Sequence, residues 1–466
     1  MILPRWGGDD GVRSILSTSF PLMLSFAVAS ANLFLDRIFL SWYSRDAFNA
    51  ALQAGMLQWT ILNLFFQTVG YTATFVAQYI GARDDKDVGS MMWQGVYVSI
   101  AGGAIMALLA PLGFPLFRII GHAGNIPHLE GEYFQMLCRG SVTFLLMNTA
   151  NSFYAGQNRT MMMLFINIAC FILNASFNVW FVFQKVWIFP TGMAGSAFST
   201  IAANGITAAL VGLLIFISRE NESRFRMRSA WRFNWQHARQ LLRYGLPAGV
   251  HVMIDLIGFT TFMNVVGVFG SKEQFASNMA MNINLMLFIP AVGLHIGTQI
   301  LSGKFCGAKD PASVERMTAG SLMVAIIYMV IVCISYIVLP TMMLHGFRGS
   351  MTDLEWQPRF ELAKLLLLFV AYYSLFDAVA LIYGGALKGA GDTKFVMLTS
   401  IFFSAVLFVA PCVSLWMMHK YNLIDPHTGL YLCWVFCSIT VNFLRFRYGK
   451  WKTFDLVGTG VGEGLG

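Results

Sequence analysis

Gly81-Ala82-Arg83-Asp84 and Gly307-Ala308-Lys309-Asp310 each close a long apolar run, and they stand 226 residues apart. At the same shift Pro21, near the start of the first apolar run, meets Pro247, near the start of the seventh. A third pair, Gly156-Gln157-Asn158-Arg159-Thr160 and Gly389-Ala390-Gly391-Asp392-Thr393, lies 233 residues apart, as a short loop insertion would allow. Landmarks recurring at nearly one shift mark an internal duplication, the usual build of a chain with two related halves.

Outward from these breaks, the apolar runs predict spans at 15–40, 50–80, 90–117, 132–155, 160–184, 193–218, 245–269, 275–303, 317–345, 361–387, 394–419 and 428–448. A helix needs about 20 apolar residues to cross the hydrocarbon of a bilayer, so little chain is left for a soluble domain. Six spans per half is an even number, which returns the second half in the orientation of the first. The expected fold is therefore an all-α membrane protein of twelve transmembrane helices, in two six-helix bundles related by a pseudo-two-fold axis along the membrane normal. The expected lobes are 1–218 and 245–450, joined by a basic linker at 219–244, and the glycine-rich end, 451–466, reads as a disordered tail.

Composition agrees: 57% of the residues are hydrophobic, 12% are charged and mean hydropathy is +0.62, too little polar surface for a soluble globule. The first apolar run is too long, and lacks the small-residue cleavage site, to be a removable signal peptide. The formal charge of +8 is spread over loops between spans rather than gathered for nucleic acid. With both termini in the cytoplasm, roughly two-thirds of the basic residues fall on that side, the linker arginines from Arg219 to Arg243 among them. The sequons at Asn158 and Asn221 then face the cytoplasm, away from glycosylation. The seven cysteines form no Cys-x-x-Cys pair, which disfavours disulfide and zinc readings. No phosphate-binding Gly-x-x-x-x-Gly-Lys-Ser/Thr loop, His-Glu-x-x-His or Gly-x-Ser-x-Gly motif is present, so neither an ATPase nor a membrane-embedded enzyme has support.

Four stretches carry a resemblance: Leu35-Asp36-Arg37, Gln78-Tyr79-Ile80-Gly81-Ala82, Phe189-Pro190 followed by Gly192 and Gly195, and Leu387-Lys388-Gly389-Ala390-Gly391-Asp392-Thr393-Lys394. The chain resembles the multidrug and toxic compound extrusion (MATE) transporters along its whole length, and within them the NorM-type subgroup. That resemblance implies export of small organic, often cationic and amphipathic, compounds by alternating access in the plasma (inner) membrane, as a monomer. It also implies inward flow of Na+ or H+ as the driving force and no other cofactor.

Intramembrane charge is an independent pointer, because a carboxylate within a span costs at least ~2.5 kcal/mol on insertion scales. Asp36, Asp255 and Asp377 stand out, and such a group exchanges a proton or metal cation against a drug cation. Asn174 and Asn178, one turn apart, share a helix face, and Thr200 adds another oxygen of the kind a hard cation takes. The resemblance makes Asp36, Asn174, Asn178 and Thr200 an N-lobe cation site, with Na+ at Asp36, Asn174 and Asn178 if sodium is the ion. It makes Asp255 and Asp377 a C-lobe cation or drug site, although the subgroup usually carries the longer glutamate at the first of these. Bland alternatives stand beside these readings: an Asp36–Arg37 ion pair at the membrane edge, and asparagines that merely join helices. Asp255 and Asp377 have no basic neighbour within their own spans. Pro290 and Pro411 are hinge candidates, or static kinks. His251 and His295 read as packed histidines, and most of the Met and Phe as lipid-facing or core residues. The competing transport reading is a flippase for lipids or lipid-linked oligosaccharides, for which more basic residues within the spans are expected.

Overall fold

The computed structural model describes residues 5–120, 126–183, 191–348 and 352–420, all helix and connecting turns. In chain order the helices are α1 (Val12–Tyr43), α2 (Arg45–Gly70), α3 (Thr72–Gly81), α4 (Asp85–Leu109), α5 (Gly113–Ile120), α6 (Ile126–Arg139), α7 (Ser141–Gly156), α8 (Thr160–Phe183) and α9 (Gly192–Ile217). They continue as α10 (Arg219–Phe225), α11 (Trp235–Phe269), α12 (Ser271–Gly307), α13 (Pro311–Val338), α14 (Pro340–His345), α15 (Asp353–Ala390), α16 (Thr393–Phe403) and α17 (Ala410–Lys420). Eight helices among the described residues are long and apolar enough to cross a membrane. The expected spans 2, 4 and 11 are helical too, but broken: α2 and α3 meet at Tyr71, α6 and α7 at Gly140, and α16 and α17 at a wide turn. The twelfth expected span, 428–448, and the tail lie outside the described residues.

The duplication is visible in backbone geometry. The four landmark turns that close α3, α7, α12 and α15 are the same helix stop, a left-handed residue with two back-reaching hydrogen bonds. Arg83, Asn158, Lys309 and Gly391 have φ of +60°, +62°, +57° and +100°. In the first, Arg83 N donates to Ile80 O (3.1 Å) and Asp84 N to Tyr79 O (2.9 Å); in the last, Gly391 N donates to Lys388 O (3.1 Å) and Asp392 N to Leu387 O (2.9 Å). The turns at Asn158 and Lys309 repeat both bonds.

The described residues cluster into two compact units. One gathers 5–17, Ile254–Ser302 and 311–420; the other gathers Thr18–Met253 with Gly303–Asp310. Within a bilayer, helices attract one another through close packing and small residues rather than through exclusion of water, and the glycines sit where backbones touch. In the second-named unit, a Cβ on Gly156 of α7 would lie 2.5 Å from Ala73 O and 2.6 Å from the Val76 Cβ of α3. In the first-named unit, a Cβ on Gly389 of α15 would lie 2.3 Å from Gln299 O and 2.6 Å from the Ser302 Cβ of α12. All three residues of each contact correspond at the shifts read from the sequence. The end of α12 crosses α3 reciprocally: a Cβ on Gly81 would meet Lys304 O at 1.9 Å, and one on Gly307 would meet Gln78 O at 2.0 Å.

Two differences from the expected layout have local causes. The stretch expected as the linker carries helices: α10 fills its first part, and α11 starts at Trp235, about ten residues before the apolar run. Phe225 is buried against Phe153 (5.7 Å between ring centres), and Gly89 of α4 leaves room for the Phe225 carbonyl. Glu222 ties the following turn, accepting from Arg228 N (2.5 Å) and Ser229 Oγ (2.9 Å), and these donors hold its carboxyl below the usual glutamate range. The second difference is the π-helical turn at Ser404–Val409, which ends with Ala410 N bonded to Ala405 O, directly before Pro411. Proline lacks the N–H that would continue the α pattern, and a wide turn is a common local departure from it. Pro290 instead lies inside an unbroken α12, where the Tyr328 hydroxyl donates to Leu287 O (2.7 Å).

Candidate functional site

In the first half, α1, α8 and α9 bring the four predicted residues together. Asp36, Asn174, Asn178 and Thr200 are all buried. The one-turn spacing puts Asn174 and Asn178 on one face of α8, Asn174 bonded to Thr200 of α9 and Asn178 to Asp36 of α1, and α8 packs on α9 with the Phe181 and Phe198 rings edge to face at 5.2 Å. At the start of α9, Gly192 has φ of +67°, and the Tyr43 ring covers it so closely that a Cβ would lie 2.5 Å from the ring.

The hydrogen bonds form a closed set. Asn178 Nδ2 lies 2.7 Å from Asp36 Oδ1, 2.9 Å from Asn174 Oδ1 and 3.1 Å from Asn174 O. The Thr200 hydroxyl sits between Asp36 Oδ2 (3.2 Å) and Ser196 O (3.1 Å) and accepts from Asn174 Nδ2 (3.1 Å). Asn204 Nδ2 caps Thr200 O at 2.8 Å. Arg37 is exposed while the carboxylate next to it bonds to Asn178 and Thr200, so burial, and not an edge ion pair, describes Asp36.

Counting donors against acceptors exposes a surplus of oxygen. Two amide hydrogens of Asn178 serve three acceptors, and Asn178 Oδ1, buried, has no hydrogen-bond partner. A buried amide oxygen left so is costly unless something electropositive reaches it. Asp36, Asn174, Asn178 and Thr200 thus fit a small hard cation, and an Asn178 amide flip would turn its oxygen toward the others. Only one of these ligands is charged, so a monovalent cation leaves the buried site neutral whereas a divalent one does not. Among the described residues no three His, Cys, Asp or Glu group as a metal site of the softer kind.

The second half is arranged differently. Asp255 of α11 is exposed, and its carboxylate accepts from the Ser400 hydroxyl of α16, while Ser404 Oγ reaches Ile254 O at 3.5 Å. Lys388 is buried at the end of α15, and its charge acts on Asp255. Asp377 lies partly buried on α15, eleven residues before Lys388. His295 is packed, as expected, with Nδ1 2.6 Å from Leu381 O, in room left by Gly385. Sequence reasoning missed Lys388, Ser400 and a buried trio in which Asn284 donates to Tyr373 Oη (3.0 Å) and accepts from Tyr336 Oη (3.2 Å). Lys388 sits in the stretch that carried the resemblance; a tyrosine or serine in an apolar run gives no comparable signal.

The MatE family profile matches residues 21–180 and again 247–413. The two matched segments begin 226 residues apart and end 233 apart, the shifts of the repeat. A Thermotoga maritima protein, probable multidrug resistance protein NorM, is 24% identical over 97% of this chain and 95% of its own length. A solved MOP superfamily transporter from Pyrococcus furiosus superposes with a TM-score of 0.83 at 18% identity, covering 96% of this chain and 97% of its own. An outward-facing multidrug resistance MATE transporter gives 0.82 at 18% identity, covering 96% and 98%. The shared fold is the twelve-helix, two-bundle one.

Proposed function

The chain belongs to the MatE family of membrane transporters, not enzymes, and from that premise we propose that it is a secondary active exporter of small organic, often cationic compounds. Export is driven by inward flow of Na+ or H+ through alternating access, from the cytoplasm across the plasma membrane, with both termini inside. The observation that carries this reading is the buried Asp36 cluster, a single negative charge within neutral oxygens. Such a site binds one monovalent cation or one proton and releases it when a conformational change alters the shell around it. The relatives called multidrug resistance proteins support a substrate range of dissimilar organic compounds. Asp255 and Asp377 together leave one net negative charge in the second half after Lys388 is counted, which suits cationic cargo.

Lys388 gives some support to the flippase reading, for which intramembrane basic residues are expected. It is matched by Asp255, however, and a neutral pair gives an anionic headgroup no net attraction.

The test is ethidium efflux from proteoliposomes under an imposed Na+ gradient, and separately a pH gradient, for the natural chain and Asp36→Asn. Efflux driven by one gradient, and reduced in the variant to the level of protein-free vesicles, identifies the ion and places its coupling at Asp36. No efflux under either gradient from folded protein sinks the export reading.

A further inference from the structure

The strap between α10 and α11 is where exposed aromatic rings and arginines occur together. After the left-handed turn at Arg226, the chain runs back along the side of α4. Trp93 Nε1 donates to Met227 O (2.8 Å), the Tyr97 hydroxyl to Trp231 O, and Gln94 Nε2 reaches Arg232 O at 3.5 Å, while Asn234 N donates to Gln94 Oε1 (3.2 Å). Four bonds to one five-residue stretch of α4 fix the strap's height along that helix.

That height is informative. The continuous apolar element that begins with α4, Asp85–Ile119, is 35 residues long, whereas hydrocarbon takes about 20 residues of helix. Some fifteen residues therefore lie outside the hydrocarbon, shared between the two ends; at the α4 end the charged Asp85, Lys86 and Asp87 stand outside it, and Trp93 and Tyr97, two to three turns on, are rings of the kind found where headgroups meet acyl chains. The strap tip beside Trp93 and Tyr97 then lies at the boundary between headgroups and acyl chains. There Trp231, Phe233 and Trp235 are 57%, 57% and 65% exposed, where rings facing bulk water would be costly but rings at a membrane boundary are favoured.

The charges divide into spent and available ones. Arg224 is taken by Asp85 (2.6 Å) and Arg228 by the carbonyls that end α9, Phe216 O (3.0 Å) and Ile217 O (2.7 Å). Glu222 is engaged by Arg228 N and Ser229 Oγ, and Asp87 lies toward His237 (3.7 Å). Arg232, Arg239 and Arg243 are exposed, the last two standing one and two turns after Trp235 on the same face of α11.

We propose that residues 231–243 form a binding surface for acidic phospholipid headgroups, in the leaflet on the linker's side. Trp231, Phe233 and Trp235 seat at the boundary, and Arg232, Arg239 and Arg243 meet the phosphates, which a guanidinium fork fits in two-pronged fashion. A zwitterionic surface accepts the rings but gives the arginines no net charge to match.

The test uses the full chain in vesicles in which either phosphatidylglycerol or phosphatidylcholine, at equal mole fraction, carries brominated chains. The signal from the strap is the difference in tryptophan emission between the natural chain and Trp231→Phe/Trp235→Phe. The expected result is stronger quenching by brominated phosphatidylglycerol, corresponding to about five-fold local enrichment or more, the attraction of a single basic residue near such a surface. Added salt, or Arg232→Gln/Arg239→Gln/Arg243→Gln, removes the excess and leaves the quenching itself. Equal quenching by the two lipids in the natural chain at low salt overturns the headgroup surface. No quenching by either overturns the boundary position as well, and the salt arm keeps the test decisive should the arginine variant not fold.

Discussion

At the repeat shifts, Asp36 corresponds to Phe262, Asn174 to Leu407 and Asn178 to Pro411, while Asp255 corresponds to Ala29 and Ser400 to Asn167. The first half encloses its carboxylate in the amides of an unbroken α8 and a hydroxyl of α9; the second exposes its own beside one hydroxyl, from a helix followed by a π turn. Asp255 also stands seven residues, about 10 Å, nearer the start of its helix than Asp36 would at the matching register. Yet the contacts of Gly156 and Gly389 match residue for residue. Packing has kept the symmetry of the duplication and polar chemistry has abandoned it, so the two carboxylates are not two copies of one ion site.

The largest expected effect breaks that asymmetry directly. Asn174→Leu gives the first half the residue of the second, and it is expected to abolish gradient-driven efflux in the proteoliposome assay. It also leaves the Thr200 hydroxyl without its donor, at a cost of about 1–3 kcal/mol in unfolding measurements. Next, Gly156→Ala and Gly389→Ala are expected to destabilise by similar amounts, about 1–3 kcal/mol each, read as matching drops in thermal midpoint in detergent. A large inequality between them would break the packing equivalence.

Smaller effects sharpen the same symmetry at the helix stops. Gly391→Ala is expected to cost about 1 kcal/mol, because a side chain there enters left-handed space that only glycine adopts freely. Arg83→Gly and Lys309→Gly should each gain a few tenths of a kcal/mol up to about 1, the strain relieved less the added freedom of the unfolded chain. The smallest concerns the strap, which has no counterpart in the duplication. The Glu222 carboxyl is held below its ordinary range, so its contribution is complete above the unfolded-state value and is lost as pH falls through the lowered one. Protection of Arg228 N from hydrogen exchange, taken relative to the intrinsic rate at each pH, should persist down to pH values below the usual glutamate range and then fall, and Glu222→Gln should remove that fall.

The frame was legible because apolar length and helix stops are local properties: Gly81, Gly156, Gly307 and Gly389 announced themselves by their neighbours in sequence. Asn174 and Asn178 share a face by helix geometry alone, but it was the resemblance that joined them to Asp36 and Thr200, since residues on three helices give no common signal in sequence. The burial of Lys388 was not legible, because it depends on the helices around it and not on its neighbours in sequence. The break in span eleven was hidden because proline announces a disturbance without specifying its form. The strap's height came from Trp93, Gln94 and Tyr97, whose carbonyl and amide partners lie more than 130 residues away in sequence.

The crossing of Gly81 over Lys304 and of Gly307 over Gln78 has the form of a homodimer interface, made by one chain with itself. When two identical chains meet about an axis, every substitution is felt twice; after fusion it is felt once, and each copy is free to drift alone. That both glycines stand in one sequence means each is held by its own half of the contact, so ancestry and steric necessity are recorded in the same two residues.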